Sequence, residues 1–304
     1  MRSVVVVMMG VLAACGRWGF DDASGRSSVD GPGASDAISD ADLTGLLPFG
    51  TPVAIASVNS ASDDGSFRLA ANELTGWFWS GRSGNNQLYE ATRPNLATAW
   101  SVVLLANVNT ASAELDPTTT PDELTLVFRS NRAGGTGGND LYQATRTTTA
   151  NPFSVATQIA NLNTASSDVQ PFLRADGAEL FFTSNRNGTY DIFRSVRTGN
   201  AFGAPTLVSE LSTATDNEQD PALSPDGLTI YWRSDRPGGL GASDIYTATR
   251  ASLTDAFGPA THVANVSSSS DDGVSWVSAD GARLYISSNR GGATNHIYVS
   301  TRGG

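Results

Sequence analysis

The chain of 304 residues contains no lysine; all 19 of its basic residues are arginine. Schiff-base catalysis, a Walker-type phosphate loop and a Ser-x-x-Lys nucleophile are therefore excluded. Histidine is nearly absent. His262 and His296 are the two imidazoles, too few for a typical zinc site without carboxylates. No Gly-x-Ser-x-Gly elbow occurs, which excludes an esterase or peptidase of the α/β-hydrolase kind. Charged residues make up only 16%, and a net charge of −11 lacks the basic footprint that phosphate binding needs. Nucleic acid is not an expected partner. What remains is a polar surface rich in Ser, Thr, Asn and Gly, with 39% hydrophobic residues. That is enough for a core in one large all-β domain or two smaller ones.

Near the N-terminus the apolar run from Val4 to Leu12 is too short to span a bilayer, which takes about 20 residues. With Arg2 before it and Ala13-Ala14-Cys15 after it, the run reads as an export signal over residues 1–14. Cys15 is the only cysteine. Its setting resembles the bacterial lipobox, which implies lipidation of Cys15 and cleavage before it; the alternative is an ordinary secretory signal with an incidental cysteine. Gly16 at the next position implies, by the same resemblance, an outer-membrane lipoprotein facing the periplasm or the surface. Two or three acyl chains would give the stable anchoring that one chain cannot. The membrane is then met through the anchor only. The rest of residues 15–48 is poor in large apolar side chains and rich in Ser, Asp, Gly and Ala, so a disordered tether is predicted there.

From residue 49 to 304 the chain repeats itself. Five segments of the type apolar-x-Ser-x-Arg, the apolar residue aromatic in four of them and Ile286 in the last, each followed by a Leu/Ile-Tyr/Phe strand ending in arginine, align on one another. Their marker arginines, Arg82, Arg132, Arg186, Arg236 and Arg290, are separated by 50, 54, 50 and 54 residues. Such a period, with several short strands in each unit, predicts the blades of a β-propeller. In the third unit, strands are expected over residues 155–160, from near Pro171, over 179–184 and over 191–197. Asp176-Gly177 supplies the tight turn.

The phase of the repeat predicts its closure. Val53 to Ser57 matches the outermost strand of a blade with no inner strands before it, and the last unit lacks an outer strand. Pairing the two closes the ring and removes two exposed edges. The fold class is thus all-β: a five-bladed propeller of four-stranded antiparallel blades, the N-terminal strand completing the C-terminal blade.

The spacing of Ser224-Pro-Asp-Gly227, Ser234-Asp-Arg236 and Asp244-Ile-Tyr246 resembles the WD40-like repeat of TolB-type propellers, from about residue 52 onward. Those proteins usually carry more blades and a preceding α/β domain. The resemblance therefore implies the fold and says little of function.

One acidic residue recurs in every unit: Asp64, Glu114, Asp168, Glu218 and Asp272. Five carboxylates could ring one mouth of the channel and attract a cation, an amine or a basic peptide. Alternatively each pairs with a motif arginine as a staple. The staple is favoured, because a scaffold obeys a repeat and a site breaks it. Asp140, Asp191 and Asp244 belong to the motif as well, whereas Gln87 and His296 replace them in the first and last units. With Trp77, Trp79 and Trp276, these form a candidate polar and aromatic patch for a sugar or peptide. Terminal repeats also differ merely because they close the ring. The run Asp216 to Asp220 is a conceivable calcium site, but a solvated turn is favoured. Neither the Gly-rich loops at residues 133–139 and 237–243 nor any other motif calls for a cofactor.

These features together point to a monomeric, non-enzymatic envelope lipoprotein that binds a protein, peptide or glycan on one propeller face. The alternative is a five-bladed glycoside hydrolase or lyase. That requires carboxylates which break the repeat to converge on the axial pocket.

Overall fold

The computed structural model describes residues 47–303. The export signal, Cys15 and nearly all of the tether lie outside the described residues. Every regular element within them is a β-strand. Blade one comprises Asp64–Leu69, Thr75–Ser80, Gln87–Thr92 and Ser101–Leu104, running from the axis outward. Blade two comprises Glu114–Thr119, Thr125–Ser130, Asp140–Thr145 and Thr157–Gln158. Blade three has Asp168–Leu173, Glu179–Ser184, Asp191–Thr198 and Thr206–Leu207, with the two-residue strand Ala201–Phe202 folded back on the end of Asp191–Thr198. Blade four has Glu218–Leu223, Thr229–Ser234, Asp244–Thr249 and Thr261–His262. Blade five takes Asp272–Val277, Arg283–Ser288 and His296–Thr301, and its outer strand is Val53–Ala54 from the other end of the chain.

Closure follows the expected phase. Val53 faces Val299 and Ala54 faces Tyr298, antiparallel, and a further bridge joins Phe49 to Arg302. The Arg302 guanidinium lies 3.9 Å over the Phe49 ring. Each other blade repeats this contact within itself. Arg93 lies over Trp100, Arg146 over Phe153, Arg197 over Phe202 and Arg250 over Phe257, at 4.1, 4.4, 5.9 and 4.6 Å. A guanidinium over an aromatic face gains electrostatic attraction as well as packing. Phe49 therefore supplies, from the opposite terminus, the aromatic that blade five lacks.

The second strand of each blade is apolar without alternation because a neighbouring blade covers each face. Leu180, Phe181 and Phe182 are all fully buried. Two local expectations are corrected. The outer strands predicted over residues 53–57 and 155–160 shrink to Val53–Ala54 and Thr157–Gln158. The innermost strand of blade three starts at Asp168 and runs through Pro171, which is not its first residue. Pro171 is tolerated there because the ladder slips between Val169 and Phe172, leaving no partner that needs its missing N–H. Blades two and four share this bulge, with Pro117 and Pro221 at the same place.

Candidate functional site

The five repeated carboxylates are fully buried, and each pairs with the motif arginine of its own blade. Asp64 meets Arg82 at 3.0 Å, Glu114 meets Arg132 at 3.1 Å and Glu218 meets Arg236 at 3.0 Å. Asp168 with Arg186 and Asp272 with Arg290 complete the set at 2.5 Å. Every one of these arginines also donates Nε to the strand serine two residues earlier, and Nη2 to a loop carbonyl of its blade, as Arg132 does to Val108. The planar fork is thus spent on three acceptors at once. These carboxylates do not line the channel mouth; they hold the first strand, the second strand and the entry loop of each blade together. Burial pushes the Glu218 carboxyl above its usual range, even against the Arg236 charge.

Asp140 and Asp244 are also committed locally. Asp140 accepts from the backbone N–H groups of Thr136 and Gly137, and Asp244 from those of Leu240 and Gly241. Each folds its Gly-rich loop around itself. A side chain at Gly135 or Gly239 would collide with the carboxylate, which explains the glycines without a phosphate. Asp191, at the same place in blade three, is buried beside a shorter loop.

The suggested patch of Gln87, His296 and three tryptophans divides. Gln87 donates to Thr110, Ser112 and Glu114, in the loop and strand that enter blade two. His296 opens the third strand of blade five, opposite Ser288. Trp77 is wholly buried, its indole N–H on Glu90 at 3.0 Å, and Trp276 packs edge-on against Tyr285. Of the three, Trp79 lines an open space near the axis.

That space is a cavity of about 220 Å³ on the propeller axis. All five innermost strands contribute to it at one position, two residues after the repeated acid: Ser66, Asp116, Gln170, Asp220 and Val274. Trp79, Arg129, Arg233 and Ser287 reach in from second strands, and Asp271, Asn289 and Asn295 from loops. The first four of the innermost residues adopt φ of 52, 55, 51 and 54°. That left-handed conformation costs a non-glycine residue roughly 1–2 kcal/mol, and strain of this kind concentrates at functional sites. It turns a side chain at the bulge toward the axis. Asp220 therefore belongs to the bulge of a buried innermost strand, not to the solvated turn expected of residues 216–220.

The cavity wall is a charge network. Arg129 Nε lies 2.5 Å from Asp116, whose other oxygen accepts from Ser66 at 2.7 Å. Arg233 pairs with both Asp220 and Asp271 at 3.2 Å and donates to Gln219 at 2.9 Å. One layer further in, the Arg68 guanidinium is buried 4.8 Å from the centre of the Phe172 ring. Among the described residues, none of its three nitrogens has a hydrogen-bond partner. Burial pulls its pKa down to about 10, opposed by the charges of Asp116 and Asp220. Burial likewise pushes the Asp220 carboxyl up to about 6, although Arg233 and Arg68 favour its ionised form. Among the described residues, no group of His, Cys, Asp and Glu is arranged to hold a metal ion.

The innermost column that builds this cavity is visible in the repeat alignment, where it reads Ser, Asp, Gln, Asp, Val beside an acid that never changes class. It escaped the candidate set because alternation along a regular strand does not reveal that a bulge redirects these side chains.

No protein-family model matches the chain, and no curated protein matches it in sequence. Solved structures do share the fold. The endo-arabinase of Bacteroides thetaiotaomicron is 15% identical with a TM-score of 0.55, over 83% of this chain and 96% of that one. An α-L-arabinofuranosidase of Podospora anserina, in complex with cellotriose, is 12% identical with a TM-score of 0.53, over 85% and 98%. TolB of Acinetobacter baumannii is 17% identical with a TM-score of 0.49; this chain spans 56% of its length. At such identities the likeness to the arabinase and the arabinofuranosidase is one of fold alone.

Proposed function

We propose that the protein is an envelope-anchored binding module that holds the end of a glycan in its axial cavity without transforming it. One observation carries this reading. The residues that hold the blades repeat in all five units, whereas those lining the cavity differ in nearly every blade. A cavity below the usual range of roughly 300–1,000 Å³ suits one terminal unit rather than a length of polymer. Trp79 offers an aromatic wall, and Asn289, Asn295 and Gln170 offer amide groups able to donate and accept at ring hydroxyls. The lipobox-like setting of Cys15 would place the module on the outer membrane.

The test is a glycan array and calorimetry on the full chain, alongside Trp79→Ala. Binding is expected for the wild type and is expected to be lost in the variant with little change in melting temperature. An array without hits, or a variant that binds as well as the wild type, would refute the reading.

A hydrolase has one specific observation in its favour. Asp220, its carboxyl pushed up to about 6 by burial, shares the cavity with Asp116, as an acid and its partner would. Against it, both carboxylates sit on arginines, which leaves neither free to act as a base. Release of reducing ends from an array-positive glycan would decide for the enzyme.

A further inference from the structure

The geometry points to a ligand whose docking end carries a carboxylate: an acidic saccharide, its carboxylate gripped by Arg129 and its ring against Trp79. This rests on the reading of the cavity as a glycan site and names the class of glycan.

The argument begins with which charges are spent. Arg233 uses all three of its nitrogens, Nε on Asp220, Nη1 on Asp271 and Nη2 on Gln219. Arg129 uses one. Its Nε faces Asp116, while among the described residues Nη1 and Nη2 make no hydrogen bond, and the side chain is 23% exposed as it lines the cavity. The edge formed by Nη1 and Nη2 presents parallel N–H donors at the spacing of a carboxylate's two oxygens. Asp116 cannot turn to fill that edge, since its second oxygen is held by Ser66.

Beneath this layer Arg68 is buried with no hydrogen-bond partner for any nitrogen among the described residues, a state that costs free energy unless compensating charge is near. Arg233 serves two of the three cavity carboxylates and Arg129 the third, while among the described residues Arg68 has no carboxylate at ion-pair distance. The open donor edge of Arg129 is therefore the unspent cationic group in the cavity wall, and a carboxylate is the ligand group that fits it. An acidic sugar also explains the remaining lining, because a simple carboxylate would need neither the Trp79 face nor the amides of Asn289 and Asn295.

A bound carboxylate adds one negative charge to a cavity where Asp116, Asp220 and Asp271 are balanced by Arg68, Arg129 and Arg233. Asp220, already held near pH 6, is the group that takes up a proton in response. Binding is then coupled to proton uptake, and affinity rises as pH falls from 7.5 toward 6.

Calorimetry on the full chain tests this with methyl β-D-glucuronide and methyl β-D-glucoside, which differ only in carboxylate versus hydroxymethyl, and with a tripeptide bearing a free C-terminus. The glucuronide is expected to bind at least about ten-fold more tightly than the glucoside, the factor one charge-assisted hydrogen bond supplies. Arg129→Gln is expected to erase that difference, so that the variant binds the two glycosides with equal affinity. The pH series on the wild type gives a readout that needs no variant. Equal affinity for the two glycosides overturns the carboxylate assignment while leaving the glycan site standing. Binding of neither overturns both. Tighter binding of the tripeptide than of the glucuronide overturns the saccharide class.

Discussion

The body of each blade and the axial cavity are built from the same residue types, arginine and carboxylate, in opposite arrangements. Within the blade, Arg186 satisfies Asp168, Ser184 and the Leu162 carbonyl together, and four other blades copy it. On the axis, Arg129 reaches one carboxylate and leaves its outer fork open, and Arg68 reaches none. Saturated pairs stabilise a fold. Incomplete ones cost stability that a ligand can return. Repetition marks the first kind and variation the second.

The largest expected effect separates two rings. Phe182→Ala empties a fully buried position and is expected to cost about 3–5 kcal/mol in chemical denaturation. Trp79→Ala, on the cavity wall, should cost about 1 kcal/mol or less. Similar losses would erase the contrast between scaffold and site. Next come the arginines. Arg186→Lys keeps the charge but cannot serve three acceptors, and a loss of about 1–3 kcal/mol is expected. Arg129→Lys, beside Asp116 alone, should stay within about 1 kcal/mol of wild type. An unshifted midpoint for Arg186→Lys would mean that the repeated staple contributes nothing.

The smallest effect concerns pH. Because the folded-state pKa of Asp220 is raised to about 6, the native protein holds a proton that the unfolded chain has released between about pH 4 and 6. The stability this residue contributes is therefore greatest at low pH and declines as pH rises through that window. Asp220→Asn removes the decline. The melting temperature of the variant relative to wild type should climb from pH 4 to pH 7, and a flat difference would show that the carboxyl titrates normally.

Most of the architecture was legible because it rests on local rules used five times. Asp176-Gly177 marks a turn, Leu180 to Phe182 marks a strand covered on both faces, and the spare strand at Val53 fixes the phase of closure. The pairing of each terminal arginine with an aromatic was equally open to reading. Trp100, Phe153 and Phe257 each follow their arginine by seven residues, and Phe49 fills the gap for Arg302. The axial site was less so. Asp116 and Asp220 point inward only because the backbone at the bulge is left-handed, which period-two reasoning does not anticipate. The isolation of Arg68 depends on which side chains five blades bring to one axis, and no single repeat contains that information.

The central claim is that residues breaking the repeat hold the ligand while residues obeying it hold the fold. Amide and indole chemical shifts recorded with saturating methyl β-D-glucuronide test it most directly. Perturbations gathered at Trp79, Arg129, Asp220 and Asn295 are the expected result. Perturbations centred on Asp64, Glu114, Asp168, Glu218 and Asp272, or on the outer strands, would contradict it.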